Sequence, residues 1–263
     1  MTPSTSPTVD LLAAIFARKR EQLAHRAPLQ APRAVPARRP FLEALTSPRA
    51  HVHVIAEVKR KSPSGGLFPH PDLVAVARAY AAAGASALSV LTDAEDFGGS
   101  PEDLLAIREA VALPVLRKDF LCAPQEVQES AALGADAVLL IADALEDALL
   151  QEMLHAAREA RVDALVEAHT LQHAERALAA GALLVGINNR NLATLRTDTA
   201  TALQVLPGLV GRARGLVAES GLRTREDFAA ARAAGAHAVL VGESLLRDAD
   251  PGRALSRLLG GAS

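Results

Sequence analysis

The chain has 263 residues, half of them apolar and 22% charged, with a formal net charge of -2 at pH 7. Those values describe an ordinary globular chain with ample residues for a buried core, and they give no general reason to expect nucleic acid or an anionic membrane as partner. The single cysteine, Cys122, excludes an internal disulfide and any cysteine-cluster metal site.

The segment from Met1 to about Pro7 is polar and reads as loose. Residues 10–26 are arginine-rich, but Asp10 and Glu21 argue against a transit peptide. An amphipathic helix is expected there instead, with Leu11, Leu12, Ile15 and Leu23 on its apolar stripe and Arg18, Lys19, Arg20 and Glu21 on its wet side. Prolines 28, 32, 36 and 40 then forbid a regular helix and mark a wrapping connector. A short helix over residues 40–45 completes an N-terminal extension, residues 1–50. No apolar run reaches the roughly 20 residues that span a bilayer, and a cytoplasmic protein is expected.

Residues 51–263 carry an internal repeat. Residues 81–92, 131–142, 178–189 and 231–243 each show an alanine-rich helix end, a Gly-Ala step and a short apolar strand, with Gly84, Gly134, Gly181 and Gly235 suited to the left-handed position that ends a helix. Between them lie PVLRKD, DALVEA and GLVAES, and HVIAEV precedes them, which makes eight strands. Helices are expected at 71–83, 101–111, 124–133, 145–161, 170–180, 198–206, 224–234 and 243–259. The strands are continuous apolar runs, as in a parallel sheet buried on both faces. Eight such units predict a (β/α)8 TIM barrel, with a doubly wound open sheet as the alternative that explains the repeat less simply.

A barrel places its active site at the C-terminal ends of its strands. Along strand one, Ile55, Glu57 and Lys59 share the inward face, because alternate side chains point the same way. Counting by twos puts Lys118 inward at the end of strand three, Glu167 on strand five and Glu219 on strand seven, with Asn188 and Arg190 at the end of strand six. Lysine is scarce: only Lys19, Lys59, Lys61 and Lys118 among 28 basic residues. A lysine can exchange its proton, whereas an arginine stays charged, so two lysines among three glutamates suit acid-base chemistry. Ser62, Pro63, Ser64, Gly65 and Gly66, then Ser220 and Gly221, then Gly242 ahead of a helix start, offer hydroxyls and backbone N-H groups to an anion such as phosphate. Phe97 and Phe120 could flank a ring. His169, past the strand end, suits a hydrogen-bonding support. No zinc spacing, serine-histidine-aspartate arrangement or dinucleotide fingerprint is present.

The blocks EVKRKSPS, LTD with FGGSPEDL, VLRKDF, GADAVLLI, LVEAH, GINNRNL, VAESGL and VLVGESLL, in this order, resemble the indole-3-glycerol phosphate synthase family of tryptophan biosynthesis over about residues 8–259. The resemblance implies a cofactor-free and metal-free conversion of a small phosphorylated substrate, 1-(2-carboxyphenylamino)-1-deoxyribulose 5-phosphate, to indole-3-glycerol phosphate, carbon dioxide and water. It implies Lys118 as general acid, Glu167 as general base or stabiliser of the cationic intermediate, and Lys59 as holder of the substrate carboxylate or participant in dehydration. Glu57 would join the proton relay, Asn188 would orient the substrate, and Arg190 and Glu219 would form the polar wall. Ser62, Ser220, Gly221, Gly242 and Glu243, the last through its backbone N-H, would hold the phosphate. Phe97 and Phe120 would flank the aromatic ring. Two departures stand out: many relatives read SPSKG where this chain has Ser62-Pro63-Ser64-Gly65-Gly66, and EVH where it has Glu167-Ala168-His169. A Schiff-base aldolase using Lys118, a phosphorylated-metabolite binder without turnover, and a sister phosphate-binding barrel isomerase are the competing readings.

Overall fold

The computed structural model describes residues 11–29, 37–63 and 65–261. The loose start at Met1 to Pro7, Asp10, the connector prolines 32 and 36, and Ser64 lie outside them. Eight strands, β1 (His53–Val58), β2 (Ala87–Leu91), β3 (Val115–Lys118), β4 (Ala137–Ile141), β5 (Asp163–Ala168), β6 (Leu184–Asn188), β7 (Gly215–Glu219) and β8 (Ala238–Val241), close into one barrel. Each pairs in parallel with its chain neighbour, and β8 returns to β1 with Ala238 opposite His53. The apolar runs are continuous because one face lines the barrel interior while the other lies under helices. The four repeat glycines do take left-handed backbone, with φ between 93° and 105°. Each ends its helix without a Cβ penalty and turns the chain into the next strand.

The N-terminal helices sit at opposite ends of the barrel. Helix α1 (Leu11–His25) reaches the C-terminal mouth, where Leu11 and Ile15 face the central cavity. Helix α2 (Phe41–Thr46) plugs the other end: Phe41, Leu42 and Leu45 are buried, and α2 packs against β1, β2 and β7. Burying each of these side chains stabilises the fold by about 1.5–3 kcal/mol. Between the two helices, the Arg38 and Arg39 guanidinium groups donate to backbone carbonyls at Ala135 and Leu113, and the buried Asp136 carboxylate accepts from the Arg39 and Val115 amides. The described end of the connector, at residues 38 and 39, is thereby strapped to the barrel.

Three local readings are corrected. Lys19 is not on a wet face: its Nζ lies 2.7 Å from both Asp93 Oδ2 and Asp119 Oδ1, while Arg18 reaches Glu95 and Asp96. These carboxylates follow β2 and β3, so the basic face of α1 docks on the mouth instead of facing water. The helix expected at 243–259 is two, Glu243–Leu246 and Pro251–Leu259. Proline disfavours helix in the residue before it yet suits the first helical turn, and the Asp250 side chain caps the restart. The helix near 198–206 spans Ala200–Val205 and tightens into a 3-10 turn, Leu206–Leu209, where Pro207 and Gly208 interrupt it.

Lys19→Met should expose how much the docking of α1 stabilises. Asp93 and Asp119 would lose a shared cation while staying buried, although Asp119 keeps the Arg117 guanidinium at 3.0 Å and the Thr92 hydroxyl at 2.6 Å. A loss of about 2–3 kcal/mol in urea unfolding is expected. A change under about 0.5 kcal/mol would place this bridge with ordinary surface pairs.

Candidate active site

The charged residues singled out on strands one, three, five and seven meet at the C-terminal mouth. Glu57 and Lys59, two residues apart along and just past β1, are joined by a 2.6 Å contact from Lys59 Nζ to Glu57 Oε1. Lys118, the last residue of β3, donates from Nζ to Glu167 Oε2 at 3.1 Å and lies 4.0 Å from Glu219 Oε2. Asn188, ending β6, donates from Nδ2 to Glu167 Oε1 at 2.9 Å. All of these except Lys118 are buried, and Glu167 has no exposed surface.

Glu167 on β5 and Glu219 on β7 are separated by β6, and Gly186 is what lets them approach. Gly186 is opposite Glu167 on one side and Val217 on the other. A Cβ at Gly186 would fall 2.0 Å from Glu219 Oε1. A glycine here therefore makes room for a carboxyl group in a layer that would otherwise hold a branched side chain. The signal was visible as the G of LVGIN, but its meaning needed the neighbouring register. Gly186→Ala should displace Glu219, leave the barrel folded and reduce kcat by about 10-fold or more, since small misplacements of catalytic groups are costly. A variant with unaltered kcat would show that Glu219 need not occupy this position.

The electrostatics divide the carboxyl groups. Burial raises Glu219, and repulsion from the Glu167 carboxylate raises it further, so that it stands well above the ordinary carboxyl range. Burial acts on Glu167 too, but Lys118, His169 and the Asn188 hydrogen bond outweigh it and hold Glu167 below that range. Burial alone would lower the Lys118 ammonium, yet Glu167, Glu219 and Glu57 together keep it above the usual lysine value. Glu57 is likewise lowered against its burial by Lys59, Lys118 and Arg190. The arrangement favours a protonated lysine against an ionised Glu167, with Glu219 as the carboxyl of the cluster that holds its proton most strongly.

The cavity over this cluster is lined by Glu57, Lys59, Lys118, Asn188, Arg190 and Glu219, and on its rim by Phe97, Phe120, Ser220, Gly221, Gly242 and Glu243. Of the residues to which the family resemblance gives a role, two do not line it, and neither do Gly65 and Gly66. Glu167 lies beneath, reaching the cavity through Lys118 and Asn188, and the Ser62 hydroxyl accepts the Gly65 N-H at 2.9 Å. Phe97 and Phe120 lie with ring centroids 6.1 Å apart, and Phe16 meets Phe120 edge-on at the same distance. Ser220 holds φ 65°, a strained left-handed value for a non-glycine residue, followed by Gly221 at 79°. Arg190 Nη2 reaches Glu243 Oε2 at 3.1 Å, and Arg247 bonds the other oxygen of that carboxylate at 2.9 Å. At Gly65, the site of the departure from SPSKG, a Cβ would lie 2.7 Å from Ser62 Oγ and 3.4 Å from Arg247 Nη2. Sequence reasoning did not assign Leu11, Ile15, Leu192 and Leu195 to the cavity, all of which line it. An apolar residue on a helix or loop carries no mark of which surface it covers.

A family model described as indole-3-glycerol phosphate synthase matches residues 12–258. Proteins of that name from Carboxydothermus hydrogenoformans and Geobacillus thermodenitrificans are 45% and 46% identical to the chain, over 91% and 95% of it and 88% and 97% of themselves. One from Acidithiobacillus ferrooxidans is 46% identical over 95% of the chain and 98% of its own length. Among solved structures, an N-acetylmannosamine-6-phosphate 2-epimerase from Clostridium perfringens superposes with TM-score 0.62 at 16% identity, covering 87% of this chain and 99% of that one. A thiamine phosphate pyrophosphorylase from Pyrococcus furiosus does so with TM-score 0.60 at 14% identity, covering 79% and 94%. At those identities the two structures share the fold alone.

Proposed function

Since the chain belongs to the indole-3-glycerol phosphate synthase family, we propose how its own residues divide the work of that reaction. The activity is that of a carboxy-lyase: ring closure, decarboxylation and dehydration of 1-(2-carboxyphenylamino)-1-deoxyribulose 5-phosphate to indole-3-glycerol phosphate. The observation that carries the residue assignment is the Lys118–Glu167 contact at 3.1 Å, a cationic acid touching an ionised base at the floor of the mouth.

In ring closure, the ring carbon bearing the carboxylate attacks the ribulose ketone and Lys118 gives its proton to the ketone oxygen. Lys59, paired with Glu57, holds the carboxylate; its loss as carbon dioxide returns the bonding electrons to the ring. In dehydration, Lys59 protonates the new hydroxyl, which leaves as water, and Glu167 takes the proton from the carbon beside nitrogen. Passage of that proton from Glu167 to Lys118 resets both groups, and Lys59 regains its proton from solvent. Asn188 fixes Glu167 through its 2.9 Å hydrogen bond, and Glu219, whose raised value favours the protonated form, can donate to the substrate while it holds that proton. Ser220, Gly221, Gly242 and the Glu243 N-H form the phosphate end, with Arg190 beside them. Phe97 and Phe120, with Leu11 and Ile15 above, form the aromatic slot.

A Schiff-base route would make Lys118 a nucleophile, and mass spectrometry after borohydride reduction separates the two. Turnover with no substrate-dependent adduct on Lys118 is expected. A stoichiometric adduct there would overturn the acid role.

A further inference from the structure

A polar chain runs from the Glu167–Asn188 pair of the acid-base scheme to His169, which that scheme does not use. His169, just past β5, contacts the Arg190 carbonyl oxygen through Nε2 at 2.6 Å, and its Nδ1 lies 3.2 Å from Asp143 Oδ1. The Arg190 N-H donates to Asn188 Oδ1 at 2.9 Å, and Asn188 donates in turn to Glu167 Oε1. The connections therefore leave β5 at residue 169, cross to the loop after β6, and return to β5 at residue 167. We propose that His169 is a positioning residue, clamped between Asp143 and the Arg190 carbonyl, that holds Asn188 and Glu167 in working geometry.

Both ring nitrogens of His169 face acceptors, a carboxylate and a carbonyl, and only the doubly protonated ring satisfies both. Charged groups surround it on every side. Asp143 comes from the loop after β4; its Oδ1 is also 2.6 Å from His173 Nδ1 on the helix Leu171–Ala179, and its Oδ2 is buried with no hydrogen-bond partner among the described residues. Arg176 of that helix fixes the loop by donating to the Ala142 and Leu145 carbonyls at 3.0 and 2.9 Å and to the Asp147 carboxylate at 2.7 Å. Glu167 lies on β5 two residues before His169, and Arg190 on the facing loop. Burial lowers His169, but Asp143, Glu167 and the Arg190 carbonyl outweigh it, so its charge persists above the ordinary histidine range. The ion pair thus stabilises fully below that range and fades as pH rises through the raised value. While charged, His169 also favours the ionised form of Glu167.

The assignment rests on Glu167 acting as the base, and its test includes a readout that does not depend on turnover. In ligand-free protein, the Glu167 carboxyl followed by carbon-13 NMR should titrate at higher pH in His169→Gln than in the unaltered chain. In turnover, His169→Ala should lose about 10-fold in kcat with KM changed less than about 3-fold. Because glutamine can still donate to the Arg190 carbonyl, His169→Gln should recover most of kcat while the acid limb of kcat/KM stays shifted to higher pH. An unshifted Glu167 titration in His169→Gln, or a folded His169→Ala with unaltered kcat and acid limb, would overturn the proposal. If His169→Ala fails to fold, the glutamine variant decides alone. Absence of turnover in the unaltered chain would count against the reaction and leave the titration result standing.

Discussion

Lys118→Arg is expected to keep the positive charge at the end of β3 and yet lose about 10³-fold in kcat, the range in which a positioned general acid contributes. The residue sits where its charge is needed twice, against Glu167 at 3.1 Å and Glu219 at 4.0 Å. A guanidinium satisfies both carboxyl groups, so the barrel should unfold near its normal urea midpoint. It does not release a proton at working pH, and its planar fork needs space that the ammonium leaves free. The variant thereby separates charge from proton transfer. Substrate should still bind, with KM changed by less than about 10-fold. A kcat within about threefold of the unaltered chain would remove Lys118 from the acid role.

Glu167→Gln should cost about 10² to 10³ in kcat for a different reason. The amide keeps an oxygen for the Asn188 hydrogen bond but turns an N-H group toward the Lys118 ammonium and cannot accept a proton. Two linked shifts follow. Lys118 loses its nearest carboxylate, so its value falls; Glu219 loses the charge that repelled it, so its value falls as well. Glu219 can then ionise and partly replace Glu167 as the partner of Lys118, 4.0 Å away. The residual activity should accordingly follow the ionisation of Glu219 and vanish in Glu167→Gln combined with Glu219→Gln. Equal activity of the single and double variants would show that Glu219 provides no such substitution.

The barrel was legible because its pattern is local: a glycine after each alanine-rich helix end and a short buried strand after each glycine. The inward charges were legible for the same reason, since a period of two along a strand assigns Glu57, Lys118, Glu167 and Glu219 to one face. What stayed hidden depends on partners distant in sequence. Lys19 reads as a solvated residue on an amphipathic helix until Asp93 and Asp119 arrive from two loops 74 and 100 positions away. Gly186 reads as a strand glycine until Glu219, two strands over from Glu167, needs its space. The break between Leu246 and Pro251 is written in Asp250-Pro251, but assigning one helix to each strand merged the two segments into 243–259.

The most direct test mixes the purified, EDTA-treated protein with 1-(2-carboxyphenylamino)-1-deoxyribulose 5-phosphate and follows indole fluorescence together with released carbon dioxide. The chain has no tryptophan, so product rises over almost no protein indole signal. Equal yields of indole-3-glycerol phosphate and carbon dioxide are expected without added metal or cofactor, at a rate that Lys118→Arg reduces about 10³-fold. No indole product from folded protein that binds the substrate, or a rate indifferent to Lys118→Arg, would contradict that expectation.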